Sequence, residues 1–508
     1  MIEPRCLDDL LKNGADEAPA IGAPGRPALD YRGLRAFGAE IGGFLNRHGL
    51  GRGDRVAIVL PNGPEMAAAF VTVAAACSTA PLNPAYRADE FEFYLSDLRA
   101  RALIVGVDDQ GPAVEVAGKL GVPLIRLAPR ADGPAGTFDL TTAMPESPAA
   151  RPGPAAPEDE ALVLHTSGTT SRPKIVPLSG ANVCRSAVNI SRTLALTPAD
   201  RCLNIMPLFH IHGLIAAVLS SLCAGASVHC TPGFNALSFF AQLDEVKPRW
   251  YTAVPTMHQA ILARAPRNRE ILGRTRLRFI RSSSASLPPQ VMAELEAAFG
   301  CPVIEAYGMT EAAHQMASNP LPPRARKPGS VGLAAGPEVA IMGEDGTLLG
   351  PHEVGEIVIR GPNVTAGYEN NPKANGEAFT SGWFRTGDQG TLDEEGYLRL
   401  TGRLKEIINR GGEKISPREV DEVLMDHPAV AQVVTFAMAH AKLGEEVAAA
   451  VVARDGMTVT EAELRAFCAE RLADFKVPRK LVLLAEIPKG ATGKLQRIGL
   501  ADKLGLNG

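Results

Sequence analysis

From Leu164 to Lys174 the chain reads LHTSGTTSRPK, and these residue types suit one kind of chemistry. Ser, Thr and Gly let backbone N–H and side-chain O–H groups converge on an anion. Arg172 and Lys174, on either side of Pro173, add positive charge at the far end. The apolar run Ala161 to Leu164 reads as a short buried strand that delivers the loop. The pattern GxxxxGK[ST] is absent, so a polyphosphate cradle here would not be a P-loop. A solvated Ser/Thr/Gly turn has the same composition, and other parts of the chain must decide between the two.

Four further stretches follow in order: EAYGMTE at 305–311, WFRTGD at 383–388, GRLKEIINRGGEKISP at 402–417 and PKGATGK at 488–494. With HTSGTTSRPK at 165–174 they closely resemble the acyl-activating, AMP-forming ligases, the superfamily of acyl-CoA synthetases, luciferases and nonribosomal adenylation domains. The likeness runs from about Tyr31 to Arg497. Reactions of that superfamily begin with a carboxylate attacking the α-phosphate of ATP. Two anions must meet, which calls for cations and hydrogen-bond donors at the transferring group.

The resemblance implies roles residue by residue. Thr166, Ser167, Gly168, Thr169, Thr170 and Lys174 would hold the β- and γ-phosphates. Thr310 would contact the α-phosphate and Glu311 would hold Mg²⁺, which relieves the repulsion between a carboxylate and a triphosphate. Tyr307 would stack on adenine, with Ala285 and Glu305 beside it. Asp388 would accept both ribose hydroxyls, and Arg403 would make a second ribose or phosphate contact. Lys494 would bridge the α-phosphate and the acyl carboxylate. Lys405 matches a hinge about which a small domain rotates, and Gly411 with Gly412 would let backbone approach the pantetheine arm of coenzyme A. Arg410, Lys414 and Arg418 are either CoA-phosphate contacts or a solvated basic face. The substrates implied are a small carboxylic acid, ATP and CoA.

The acyl pocket implied by the resemblance is lined by PLFHIHG, WYTAVPT, the serine cluster and the residues after EAYGMTE. A long-chain acid would need apolar walls. The candidates here include His210, His212, Ser282, Ser283, Ser284, Ser286 and His314, donors suited to a short acid with a second carboxylate. Ser284 and His314 are expected to grip that carboxylate and His210 to gate the pocket, although each could equally be a packed polar residue satisfied by backbone. The wording RFIRSSSASL, PLFHIHGL, WYTAVPTMHQ, SNPLP and RGPNVTAGY resembles the oxalate–CoA ligases of plants and fungi, so a dicarboxylate such as oxalate is expected. The alternatives are a medium-chain or aryl acid, transfer of the acyl group to a carrier protein or amine, and a non-catalytic nucleotide-binding protein. Two positions depart from the pattern. Ile175 replaces the usual glycine after the cradle lysine and cannot readily take φ > 0. Gly308 stands where AMTE is usual, a milder difference at the edge of the acyl pocket.

These residues need a scaffold. From Tyr31 helical and strand patterns alternate: helix 34–48, strand 55–60, helix 65–77, helix 88–98, strand 102–105. Such alternation predicts parallel strands crossed by helices. The Pro/Ala/Gly-rich segment 131–158 reads as a surface loop. Residues 181–194 read as a helix whose N-terminal dipole could face the phosphates, 203–208 as a strand and 214–222 as an apolar helix. From Pro328 to Leu400, short strands and tight turns predict a small antiparallel barrel or sheet. A compact α+β unit follows. The expected architecture is an α/β domain over 1–403 of mixed sheets with a barrel-like subdomain, and a mobile α+β domain over 404–508.

At 508 residues the chain exceeds the ~250–300 residues at which single cores stop growing. A net charge of −4 gives no reason to expect nucleic acid. The eight cysteines show no CxxC and no zinc spacing, as for a reduced, cytoplasmic protein. No stretch reaches the ~20 apolar residues that membrane insertion requires. A monomer or homodimer is expected.

Overall fold

The computed structural model describes residues 3–166, 173–488 and 495–506. Over these, the strands form four sheets. The expected alternation holds in a seven-stranded sheet, where Arg55–Val59, Ser78–Pro81, Ala102–Gly106 and Leu124–Pro129 run parallel. Its central strands, Arg55–Val59, Ser78–Pro81 and Ala102–Gly106, are buried on both faces, as helix-covered parallel strands are. Pro64–Ala74 is apolar on almost every side and lies in the principal core. That core continues into a nine-stranded sheet in which Arg201–Asn204, Trp250–Ala253, Phe279–Ser282 and Val303–Met309 lie parallel.

The segment 131–158 is not all loop. Phe138–Thr142 pairs antiparallel with Leu124–Pro129 at the sheet edge, and the Phe138 ring meets Phe37 edge-on at 4.7 Å. Its turn-rich flanks hide so short an edge strand in the sequence. The expected strand 203–208 stops at Asn204, because the Asn204 side chain both donates to Met206 O and accepts from Met206 N, turning the chain. The helix expected at 214–222 is π-helical over His212–Leu219 and α-helical over Ser220–Cys223.

The expected dipole at the phosphates is overturned. Lys174–Ser179 is a strand that runs back beside Glu160–Thr166, placing Ser179 opposite Glu160. At ~3.4 Å per residue, the helix Gly180–Thr193 therefore starts about 17 Å from the loop end. Its Ser179/Asn182 capping box satisfies its first turn instead.

Glu338–Met342, Gly355–Arg360, Trp383–Leu392 and Leu398–Arg403 form the antiparallel sheet expected after Pro328. A single turn, Leu404–Glu406, leads from it into a separate five-stranded sheet built on Val430–His440 and Gly444–Ala453. Pro417–Met425 and Glu461–Ala469 accompany that sheet, the second capped by Thr460 as predicted. The two parts share one buried apolar cluster, which includes Met257 and Ile261 from the first and Val430 and Val433 from the second, and Gln259 joins them directly, its amide donating to Ala431 O at 3.0 Å.

Candidate functional site

Ser167, Gly168, Thr169, Thr170, Arg172 and Lys494 lie outside the described residues. Thr166 ends one strand and Lys174 opens its antiparallel partner, directly opposite. Ile175 sits in that partner strand, 5% exposed, across from His165. A β-branched residue is at home there, so the departure from glycine leaves the position extended and adds a side chain to the core.

Lys174 does not stand alone. Its Nζ lies 4.4 Å from the centre of the Tyr368 ring, and the Tyr368 hydroxyl donates to Glu311 Oε1 at 2.8 Å. Burial pushes the Glu311 carboxyl above its ordinary range, and the Tyr368 hydrogen bond works against that push. Sequence reasoning gave Tyr368 no role. The loop 361–368 also pins the neighbouring turn: Thr365 N donates to Glu311 O at 2.7 Å, and Asn363 Nδ2 donates to Ala312 O and Gln315 O. Thr310 and Glu311 sit in the short Thr310–Ala312 turn between the strands Val303–Met309 and His314–Ser318. Among the described residues no group of three or more His, Cys, Asp or Glu side chains is placed to hold a metal. Mg²⁺ commonly takes one or two carboxylates together with substrate phosphates, a donor set that the buried Glu311 carboxylate, joined to Lys174 through Tyr368, fits.

Asp388 is buried between two donors. Tyr307 Oη donates to Oδ2 at 2.5 Å and Arg403 Nε to Oδ1 at 2.8 Å. Ribose hydroxyls would therefore share a carboxylate that is already hydrogen-bonded. Glu305, 1% exposed, accepts from Leu287 N at 2.9 Å through Oε1, and burial raises its carboxyl to about 7. Ser282 pairs with Glu305 across neighbouring strands, which places Ala285 just beyond, exposed. Ser283 is buried and donates to Ala306 O.

Around the residues expected to line an acyl pocket, His212 Nδ1 lies 2.9 Å from Ser284 Oγ and Nε2 lies 2.6 Å from Thr252 Oγ1. The His212 and His314 rings meet edge-on at 4.9 Å. Ser284 is partly exposed at φ +72, and His314 is buried at φ +100. Non-glycine residues held at positive φ concentrate at functional sites. His210 is partly exposed just before His212, whose backbone N–H points at His210 Nδ1. A Cβ on Gly308 would lie 1.7 Å from His314 O, so the glycine is what allows this close approach of the two strands. The difference read as mild from sequence bears directly on His314. Sequence reasoning also passed over Arg281, fully buried beside His212.

Lys405 is exposed in the turn between the last two sheets. Gly411 and Gly412, φ +58 and +97, form the two-residue turn of the hairpin Ile408–Ile415, a turn that demands such residues whatever else they do. Arg410 and Arg418 are engaged by Glu446 and Glu422. Lys414 is exposed.

The AMP-binding enzyme family matches residues 12–369, and the AMP-binding enzyme C-terminal domain matches residues 419–494. The chain belongs to the AMP-binding enzyme family. Within it, the chain is 47% identical over 503 residues to an oxalate–CoA ligase of Arabidopsis thaliana, covering 97% of both chains. It is 43% identical to the oxalate–CoA ligase of Saccharomyces cerevisiae, covering 89% of this chain and 87% of that one. Its fold is similar to the ATP-bound crystal structure of MatB from Rhodopseudomonas palustris, with a TM-score of 0.87 at 29% identity over 97% of both chains. AMP-binding enzymes of this fold are adenylate-forming ligases, with a large mixed-sheet domain and a smaller C-terminal one. No described helix is long and apolar enough to cross a membrane.

Proposed function

We propose that this AMP-forming acid–CoA ligase acts on a small dicarboxylate, oxalate in the first place. The observation that carries the reading is the hydroxyl and imidazole lining of the acid end, Ser284 with His212 and His314, where a fatty acid would want apolar walls. The relatives named oxalate–CoA ligase support it.

In this reading Thr166, Ser167, Gly168, Thr169, Thr170 and Lys174 hold the β- and γ-phosphates, and Thr310 the α-phosphate. Tyr307, Ala285 and Glu305 frame adenine, while Asp388 and Arg403 take the ribose. When bound at Glu311, Mg²⁺ would neutralise charge on the phosphates. One carboxylate oxygen of the acid attacks the α-phosphorus as pyrophosphate leaves, and Lys494 bridges the two anions. The thiol of CoA, deprotonated, then attacks the acyl carbon and AMP departs. Residues 404–508 turn about Lys405 between the steps, bringing Gly411 and Gly412 to the pantetheine arm. Ser284 and His314 grip the far carboxylate, and His210 gates the pocket. Eight free thiols, seven of them buried, fit a cytoplasmic protein, which we place as a monomer or homodimer.

The test supplies ATP, Mg²⁺ and CoA with oxalate, malonate, acetate, octanoate or a cinnamate-type acid and follows AMP formation. Oxalate should give the highest kcat/KM. Indifference to oxalate with turnover of octanoate would overturn the substrate while leaving the ligase chemistry.

A further inference from the structure

Arg281 is a guanidinium at 0% exposure with no carboxylate partner among the described residues. Its hydrogen bonds are long and reach only neutral acceptors: Nη1 to His212 Nε2 at 3.4 Å and to Thr252 Oγ1 at 3.5 Å, and Nη2 to Gln315 Oε1 at 3.3 Å. Its Nε has no hydrogen-bond partner among the described residues. Gln315 is itself fixed, because its amide N–H groups are given to Thr193 Oγ1 and Ala335 O, which turns its oxygen to the arginine. Burial pulls the Arg281 guanidinium down to about 9. A buried charge without a countercharge is costly, and a site that keeps one is prepared for an anion that arrives later.

The hydrogen bonds also fix a direction. A guanidinium can only donate, so His212 Nε2 accepts, and the Thr252 hydroxyl donates to the same nitrogen. The His212 proton therefore sits on Nδ1 and is given to Ser284 Oγ. Ser284 accepts that bond and keeps its own hydroxyl proton for a group on the exposed side. The series runs from the core to the surface: Arg281 at 0%, His212 at 0%, Ser284 partly exposed.

We propose that Arg281 is the positioning residue that makes this site selective for a doubly charged acid: through His212 it presents Ser284 as a donor, and its unmatched positive charge is balanced by the acid's far carboxylate. This rests on the dicarboxylate reading and adds the group that senses the second charge.

The test compares oxalate with oxamate, its singly charged amide of nearly the same shape, by measuring KM and kcat for oxalate and Ki for oxamate against it. Arg281→Met should raise KM for oxalate at least tenfold, change kcat less, and move Ki for oxamate under threefold. Arg281→Lys should keep the discrimination within about threefold of the parent. Arg281→Gln, which retains donors without charge, gives the neutral result should the methionine variant not fold. A folded neutral variant that preserves the ratio of oxamate Ki to oxalate KM overturns the proposal. A parent enzyme that does not use oxalate overturns the dicarboxylate reading beneath it, so the two failures are distinct.

Discussion

Tyr368→Phe isolates one atom of the site. The ring beneath Lys174 stays and the hydroxyl that donates to Glu311 Oε1 at 2.8 Å is lost. A hydrogen bond to a charged group contributes roughly 1.5–3 kcal/mol, and the bond favours the ionised carboxylate. Burial already favours the protonated form of Glu311, so the variant holds that proton more tightly. One pH unit corresponds to about 1.4 kcal/mol. If ionised Glu311 is what serves the nucleotide, the acidic limb of kcat/KM for ATP in pyrophosphate exchange should move up by about one to two pH units. Below that limb the rate should drop about 10- to 100-fold, with recovery at alkaline pH. Stability provides a second reading with its own sign. A carboxyl raised by burial stabilises the fold when protonated, and that contribution is lost as pH rises through its folded value. The melting-temperature gap between parent and variant should therefore widen as pH increases. A folded Tyr368→Phe protein whose acidic limb coincides with that of the parent would refute the coupling between Tyr368 and Glu311.

Glu305→Gln replaces a buried carboxyl raised to about 7 with a neutral amide. Between about pH 4.5 and 7 it should flatten the fall in thermal stability, ending up to roughly 3 kcal/mol above the parent once the parent's carboxyl has ionised, as read by thermal unfolding. Asn363→Ala leaves the carbonyls of Ala312 and Gln315 without their donor. It should cost about 1–3 kcal/mol in denaturant unfolding and raise KM for the acid more than for ATP. Arg55 bridges Glu160 and Glu369, so Arg55→Ala should lose up to about 3 kcal/mol, with a smaller loss in high salt. Lys494→Ala should abolish adenylate formation with every acid, as read by pyrophosphate exchange, because the carboxylate and the α-phosphate then lack the cation between them.

Adenylation was legible in the sequence because its groups are carried by short contiguous stretches. A hydroxyl- and glycine-rich loop, a Thr-Glu turn and a Gly-Asp strand keep their wording wherever the fold places them. Helix and strand periodicity also survives in a linear reading, so the alternating sheet, the antiparallel sheet after Pro328 and the Thr460 cap were all expected. Position was not available in that reading. The strand Lys174–Ser179 reverses the chain and carries the following helix away from the loop, and no local pattern distinguishes that from a helix starting at the phosphates. Tyr368 lies 57 residues from Glu311 along the chain, and Arg281 reads as one more charge in an ordinary strand sequence. Spacing and residue type, which are local, therefore told what chemistry the chain performs. Which residues surround Ser284 and His314, and which charge there has no carboxylate partner among the described residues, depends on burial and on contacts between segments distant in sequence, so only the tertiary structure decided them.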